Sequence, residues 1–272
     1  MMMPEIHKER IKEYINQGKR FDGRKLDEYR KLEIRTGISN NAEGSASVKF
    51  GKTEVYAGVK MDVGVPYPDS PNSGNLTVSA ELSPMASPDF ETGPPSIEAI
   101  EMGRIIDRGI RESGFIDFDK LCIKEKEKVW NVYVDVYAVN DAGNMMDVAA
   151  LAALVALANA KMPVYDEKEG KIDKEKGRKD SLPLIKDAMA FNMTFHKIDD
   201  QIVVDTIREE EEISDYRISI AASSNKGKPR ITSVQKGKEG AMSSEEMDKI
   251  LKLVELKFDE LYSDIQKKVF SD

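Results

Sequence analysis

Three arginines stand four and three residues apart in E-M-G-R-I-I-D-R-G-I-R: Arg104, Arg108 and Arg111. On a helix those spacings put all three on one face. Met102, Ile106 and Ile110 then fall on the opposite face and can be buried. A row of guanidiniums suits phosphates or carboxylates, because each can donate two parallel hydrogen bonds. The competing reading is a solvated face paired with Glu101 and Asp107, and spacing alone leaves the two level.

A second stretch, N-D-A-G-N-M-M from Asn140 to Met146, lies between an alternating run (Val129 to Val139) and an Ala/Leu-rich run (Asp147 to Ala160). That order is strand, tight loop, helix. A loop feeding a helix N-terminus offers unpaired N–H groups and is a natural seat for phosphate. This loop carries an aspartate, two methionines and no cation.

Carboxylates crowd R-E-E-E-E-I-S-D (Arg208 to Asp215), where acidic pairs could bind magnesium or exchange protons. Four consecutive glutamates are more often a solvated loop. Asp215 differs, since it opens a strand and could sit at a cleft. Q-K-G-K-E-G (Gln235 to Gly240) reads as a turn before a helix, with a weaker reading as a phosphate contact. His196 lies on a strand with no evident partner. There is no nucleophile elbow, Walker-type loop, dinucleotide fingerprint or zinc spacing.

The elements that would position these residues are legible from periodicity. Residues 4–17 read as an amphipathic helix stopped by Gly18, and F-D-G-R (Phe21 to Arg24) as a turn. Strands follow at K-L-E-I-R, A-S-V-K-F, T-E-V-Y-A-G-V-K-M and N-L-T-V-S-A-E-L, the middle two joined in a hairpin by F-G-K-T. Ser96 is an N-cap for the arginine helix, which runs to about Ser113 with Gly114 just past its end. The Ala/Leu helix should be enclosed on most sides. The charged run from Asp166 to Asp180 reads as an exposed hairpin or loop. Four further strands precede a final helix, whose start carries the Ser243/Glu246 capping box. The class is α+β, without a repeat visible in the sequence.

At 272 residues the chain can bury a sizeable core as one domain or two closely packed ones. The net charge of −8 weighs mildly against a free-standing nucleic-acid binder but leaves room for one basic patch. One cysteine excludes an internal disulfide, and two histidines disfavour a His-rich metal site. No metal or cofactor is implied. The first residues lack the apolar stretch of a signal peptide, and no apolar run is long enough to span a bilayer. The expected compartment is a reducing cytoplasm without membrane association.

Nearly the whole chain resembles the RNase PH family. The residues that carry this are F-D-G-R-K-L-D-E-Y-R, G-S-A-S-V-K-F-G-K-T-E-V-Y-A-G-V, the E-x-x-R-x-x-x-R-x-x-R helix, D-A-G-N before a small-residue helix, and D-Y-R-I-S-I. The segment S-P-D-F-E-T-G-P-P-S-I-E-A-I-E and the charged excursion resemble one branch, the non-catalytic RNase PH-like subunit of the archaeal exosome. The resemblance implies two βαβ-type halves packed together. It divides the chain into an N-terminal helix and arm (1–29), a first half (30–163), the charged excursion (164–188) and a second half with the C-terminal helix (189–272). It implies three heterodimers with a catalytic relative in a six-membered ring, RNA-binding cap subunits, and single-stranded RNA as the molecule degraded.

The resemblance also answers why the loop lacks a cation. Active members carry D-G-G-T-R or a near variant where this chain has D-A-G-N-M. Asp141 and Gly143 keep the loop, while Ala142, Asn144 and Met145 replace a glycine, the hydroxyl residue and the phosphate-binding arginine. A second phosphate-site arginine aligns near Glu98, a reversal of sign. Of two acidic residues six apart in active members, Asp215 matches the latter and Glu209 stands near the former. The implied reading is a degenerate phosphate site (Asp141, Gly143, Asn144, Met145), with Arg104 and Arg108 as RNA-backbone donors at a subunit interface. Arg111 shares that role or is structural. The alternative is an active phosphorolytic 3′ ribonuclease or tRNA-trimming enzyme, which would need a phosphate clamp elsewhere in the chain.

Overall fold

A computed structural model describes residues 3–225 and 227–270. The outermost ends of the expected first and last segments lie outside the described residues. Helix α1 (Glu5–Asn16) buries Ile11 and Ile15 and leaves Ile6 exposed. Strands β1 (Leu32–Thr36), β2 (Gly44–Phe50), β3 (Thr53–Gly64), β4 (Asn75–Glu81), β5 (Cys122–Lys124) and β6 (Lys128–Asn140) form one sheet. Its order is β1-β2-β3-β6-β4, with β5 against β6. Among the described residues only β4 and β6 pair in parallel, and the helix between them, α2 (Ile97–Ser113), makes this a βαβ unit.

Alternation decides which face of the sheet is inside. Val55, Ala57, Val59 and Met61 of β3 and Trp130, Val132, Val134 and Val136 of β6 are buried. Helix α3 (Met145–Ala158) packs on β2, β3 and β6 and, on its other side, on β9 (Ala190–Ile198). Held between two sheets, its Ala and Leu residues are buried nearly all round, as the composition requires. Gly44 permits the closest approach: a Cβ there would stand 2.2 Å from the Ala156 carbonyl oxygen.

The charged excursion is an antiparallel hairpin of β7 (Lys161–Asp166) and β8 (Lys171–Ser181). The second sheet joins β9 to β10 (Gln201–Val204), β11 (Tyr216–Asn225) and β12 (Lys228–Gly237) in the antiparallel order β10-β9-β11-β12. Helix α5 (Ser244–Phe270) packs on β9, β11 and β12 through Ile250, Val254, Phe258 and Ile265. Its capping box forms: the Ser243 N–H donates to Glu246 at 2.8 Å and the Glu246 N–H to Ser243 Oγ at 3.2 Å. One apolar cluster runs through both sheets.

The four-glutamate run is not the solvated loop expected for it. It forms a short helix, α4 (Arg208–Ile213), with Glu210 buried. The reason is Arg20, which arrives from 190 positions away and binds both Glu210 oxygens, at 2.9 and 2.5 Å.

Candidate functional site

The turn from Asp141 to Asn144 keeps the shape of an anion seat. Gly143 has φ +87°, and a Cβ there would stand 2.4 Å from the Thr206 carbonyl oxygen, so two independent demands call for glycine. Asn144 caps α3 in the left-handed region at φ 54°, a conformation that asparagine tolerates better than most residues.

The N–H groups of this turn are not free, however. Ala142 donates to Thr53 Oγ1 at 3.2 Å, Gly143 to the Asp141 carboxylate at 3.0 Å and Asn144 to the Glu211 carboxylate at 2.6 Å. An anion approaching these N–H groups would meet the carboxylates that already accept two of them. With Glu211 ionised, two unit charges about 4 Å apart at a protein surface repel by about 4 kcal/mol, so a dianion would have to displace Glu211 or bind against it. Burial raises the Glu211 carboxyl above the usual range, opposed by the Asn144 N–H that it accepts.

Around the turn lies an open cleft of about 990 Å³. Seven carboxylates line it: Asp89, Glu98, Glu101, Asp141, Glu209, Glu211 and Glu212. Its cations are Arg208, Arg217 and Lys238, and each is committed. Arg208 pairs with Asp89 and the Ser87 hydroxyl. Arg217 holds Glu101 at 2.6 Å. Lys238 donates to the Ser214 carbonyl at 3.0 Å and to its hydroxyl at 2.8 Å, as well as to the Glu211 carbonyl. Met145 and Met146 supply apolar wall. Of the residues expected here, Asp141, Asn144, Met145, Glu98 and Glu209 line the cleft, and Gly143 shapes the turn. Asp215 does not line it; its side chain is exposed just before β11.

His196 has the partner that sequence did not reveal. It is 3% exposed, and its Nδ1 lies 3.0 Å from Ser214 Oγ. Burial, then the charges of Lys238 and Arg217, lower it to about 3. Beneath the loop Asp205 is fully buried between Arg24 and Arg30, at 2.8 and 2.6 Å, and accepts from the Asn144 side chain at 2.8 Å. Burial alone would raise its carboxyl; the Arg30 hydrogen bond and charge hold it below the usual range. Arg30 also donates to the Ala142 and Gly143 carbonyls, at 2.9 and 3.0 Å. The signal missed in the sequence was the run of arginines Arg20, Arg24 and Arg30, whose partners are too far along the chain to be read.

The arginine helix forms as its caps imply. Ser96 accepts the Ala99 N–H at 3.2 Å, and Gly114 is left-handed at φ 75°. Met102, Ile106 and Ile110 are buried. The three arginines do not act alike. Arg111 pairs with Asp107 at 2.7 Å and donates to the Leu76 carbonyl at 2.9 Å, with its guanidinium 5.8 Å from the Phe118 ring centre. Arg104 and Arg108 are exposed, and no ion pair to either is formed among the described residues. Glu101, their expected surface partner, is held by Arg217 instead. Both line a groove of about 260 Å³ with Ile97, Ile100, Val234 and Gln235. Ile97 is 86% exposed and Ile100 53%, so this face is both basic and apolar.

Known proteins match this architecture along its length. Residues 28–163 match domain 1 of the 3′ exoribonuclease family and residues 188–253 match domain 2. Exosome complex component Rrp42 of Methanothermobacter thermautotrophicus is 38% identical over 98% of this chain and 96% of its own length. Its counterpart from Thermococcus onnurineus is 42% identical over 90% of this chain and 89% of its own. Among solved structures, a chain of the Archaeoglobus fulgidus exosome with RNA bound to the active site superposes with a TM-score of 0.84 at 38% identity, covering 95% of this chain and 98% of that one. A chain of an archaeal exosome core gives 0.80 at 34% identity, covering 95% and 97%. With both family domains matched in order and relatives aligned nearly end to end, the chain belongs to the RNase PH family of 3′ exoribonucleases.

Proposed function

We propose that this chain is a non-catalytic component of an archaeal exosome, a complex that degrades RNA from its 3′ end by phosphorolysis. In this reading it pairs with a catalytic RNase PH-like subunit, three such pairs forming a six-membered ring that carries RNA-binding caps. Its part is to complete the partner's active site and hold the backbone of single-stranded RNA. The observation that carries the loss of catalysis is the filled anion seat: Glu211 accepts the Asn144 N–H at 2.6 Å, and Met145 stands where active relatives place a cation. Phosphate binding needs charge-assisted donors, and the cations lining the cleft are engaged: Arg208 and Arg217 by carboxylates, Lys238 by the Ser214 and Glu211 oxygens. The alternative, an active phosphorolytic enzyme, keeps a partial acidic pair in Asp215 and Glu209 but would need a phosphate clamp elsewhere in the chain.

Arg104 and Arg108 are the proposed RNA contacts, since they are exposed, unpaired and adjacent to apolar surface suited to a neighbouring subunit. Arg111, tied to Asp107 and Leu76, positions the helix rather than the RNA. The test is the double variant R104E/R108E assembled with the catalytic relative. The expected outcome is normal ring assembly, weaker RNA binding irrespective of sequence, slower degradation, and a salt dependence of affinity shallower than wild type, because fewer counterions are released. Normal assembly with wild-type RNA affinity at low and high salt would refute the RNA role.

A further inference from the structure

The cleft that lost its anion chemistry is not featureless. Ser214 Oγ has one hydrogen, and it goes to the Glu211 carbonyl at 2.9 Å; the same oxygen accepts from Lys238 at 2.8 Å. With the Ser214 hydrogen on the Glu211 carbonyl, the remaining contact, 3.0 Å from His196 Nδ1, is donated by the imidazole, and this is the tautomer on which the inference stands. That network puts the ring hydrogen on Nδ1 and leaves a bare lone pair on Nε2. This nitrogen is buried without a hydrogen-bond partner, on a residue lining the cleft. Glu211 Oε1 stands 3.9 Å away, too far for a hydrogen bond. A buried acceptor left unmatched is costly, and here it faces a carboxylate that is also an acceptor. The imidazole nitrogen lacks a donor, while Glu211 Oε1 already accepts from the Asn144 N–H and the Thr206 hydroxyl and, as a carboxylate, has room for a further donor. Met102, Met145, Met146 and Phe90 provide an apolar wall beside them.

We propose that this cleft receives a guanidinium or ammonium group carried on an alkyl chain, which donates to His196 Nε2 and Glu211 while its chain lies along the methionine wall. A divalent metal fits less well, since the described residues contain no group of three or more His, Cys, Asp or Glu side chains placed to hold one. The proposal rests on the reading of this cleft as having lost phosphate binding. The group has two sources, a free polyamine or a basic side chain of a partner subunit.

With only His7 and His196 in the chain, imidazole ¹⁵N NMR of the full-length protein resolves the site. Agmatine and spermidine are the cationic probes and inorganic phosphate the anionic one. The expected result is an unprotonated His196 Nε2 in the free protein and a saturable shift of that signal with agmatine, while exposed His7 stays still. Glu211→Gln, which keeps an oxygen to accept the Asn144 N–H, should weaken the affinity about tenfold, the worth of one charge-assisted hydrogen bond. A hydrogen on Nε2, no saturable shift, or an unchanged affinity in Glu211→Gln overturns the proposal. In the assembly with the catalytic relative, a His196 signal already shifted before any probe identifies a partner's side chain as the source. A shift appearing only with added amine identifies the small molecule, and either result supports the proposal. If phosphate binds the cleft and agmatine does not, both this proposal and the loss of phosphate binding fail; if neither binds, this proposal alone fails.

Discussion

Asn144 joins the two halves at the scale of single residues: its N–H is held by Glu211, its side chain by Asp205, and its carbonyl accepts the Val148 N–H of α3. Two buried groups near it titrate in opposite senses. His196 is lowered from 6.5 to about 3, so the stability tied to its neutral form is full above pH 6.5 and is lost as pH falls towards 3. Asp147, which accepts from Thr194 and Asn192, is raised by burial from 3.8 to about 7. Its contribution is full below pH 3.8 and is lost as pH rises towards 7. The two slopes oppose one another across their shared window. Asp147→Asn should therefore make Tm climb more steeply with pH between about 4 and 6.5 than in the wild type, and His196→Gln should tilt the curve the other way. Parallel curves of Tm against pH for all three proteins would show that neither group titrates as described.

Among the elements, the arm before β1 is the one on which the loop depends, because Arg30 ties Asp205 to the Ala142 and Gly143 carbonyls at once. Breaking a buried pair outright costs about 3–5 kcal/mol, but Arg24 still holds Asp205 at 2.8 Å once Arg30 is gone, so only part of that is lost. Arg30→Met should lose a large part of that in denaturant unfolding, whereas Lys31→Met at the exposed Glu33 pair should leave the unfolding midpoint nearly unchanged. Equal losses would remove the arm's assigned role. The loop should also resist simple repair. E98R/M145R restores two cations, yet the Asn144 N–H stays on Glu211, so phosphate-dependent release of nucleoside diphosphates by the chain alone should remain absent. Activity in that variant would locate the loss of function in the missing cations alone. The same elements separate what sequence could and could not convey. Ser96, Gly114 and the Ser243/Glu246 box act within one turn, and the Ala/Leu composition of α3 announces its enclosure. The glutamates of α4 carry no such local sign: Glu210 is buried because Arg20 reaches it across 190 positions. His196 lies on a strand buried on both faces, where alternation is lost.

For the whole molecule, family and fold were legible because the resemblance ran the length of the chain, and the arginine row was legible as a row. The pairing of Arg111 with Asp107, four residues away, was among the readings of that row; its bond to the Leu76 carbonyl was not, since β4 meets α2 only in the folded protein. In the proposed reading one claim spans these scales: the chain keeps the RNase PH frame, fills its own anion seat with carboxylate, and acts through a partner. The direct measurement is phosphate-dependent release of nucleoside diphosphates from RNA by the purified chain, alone and assembled with its catalytic relative. The expected result is no release by the chain alone and turnover by the assembly. Robust turnover by the chain alone, abolished by substituting Asp215, would contradict it.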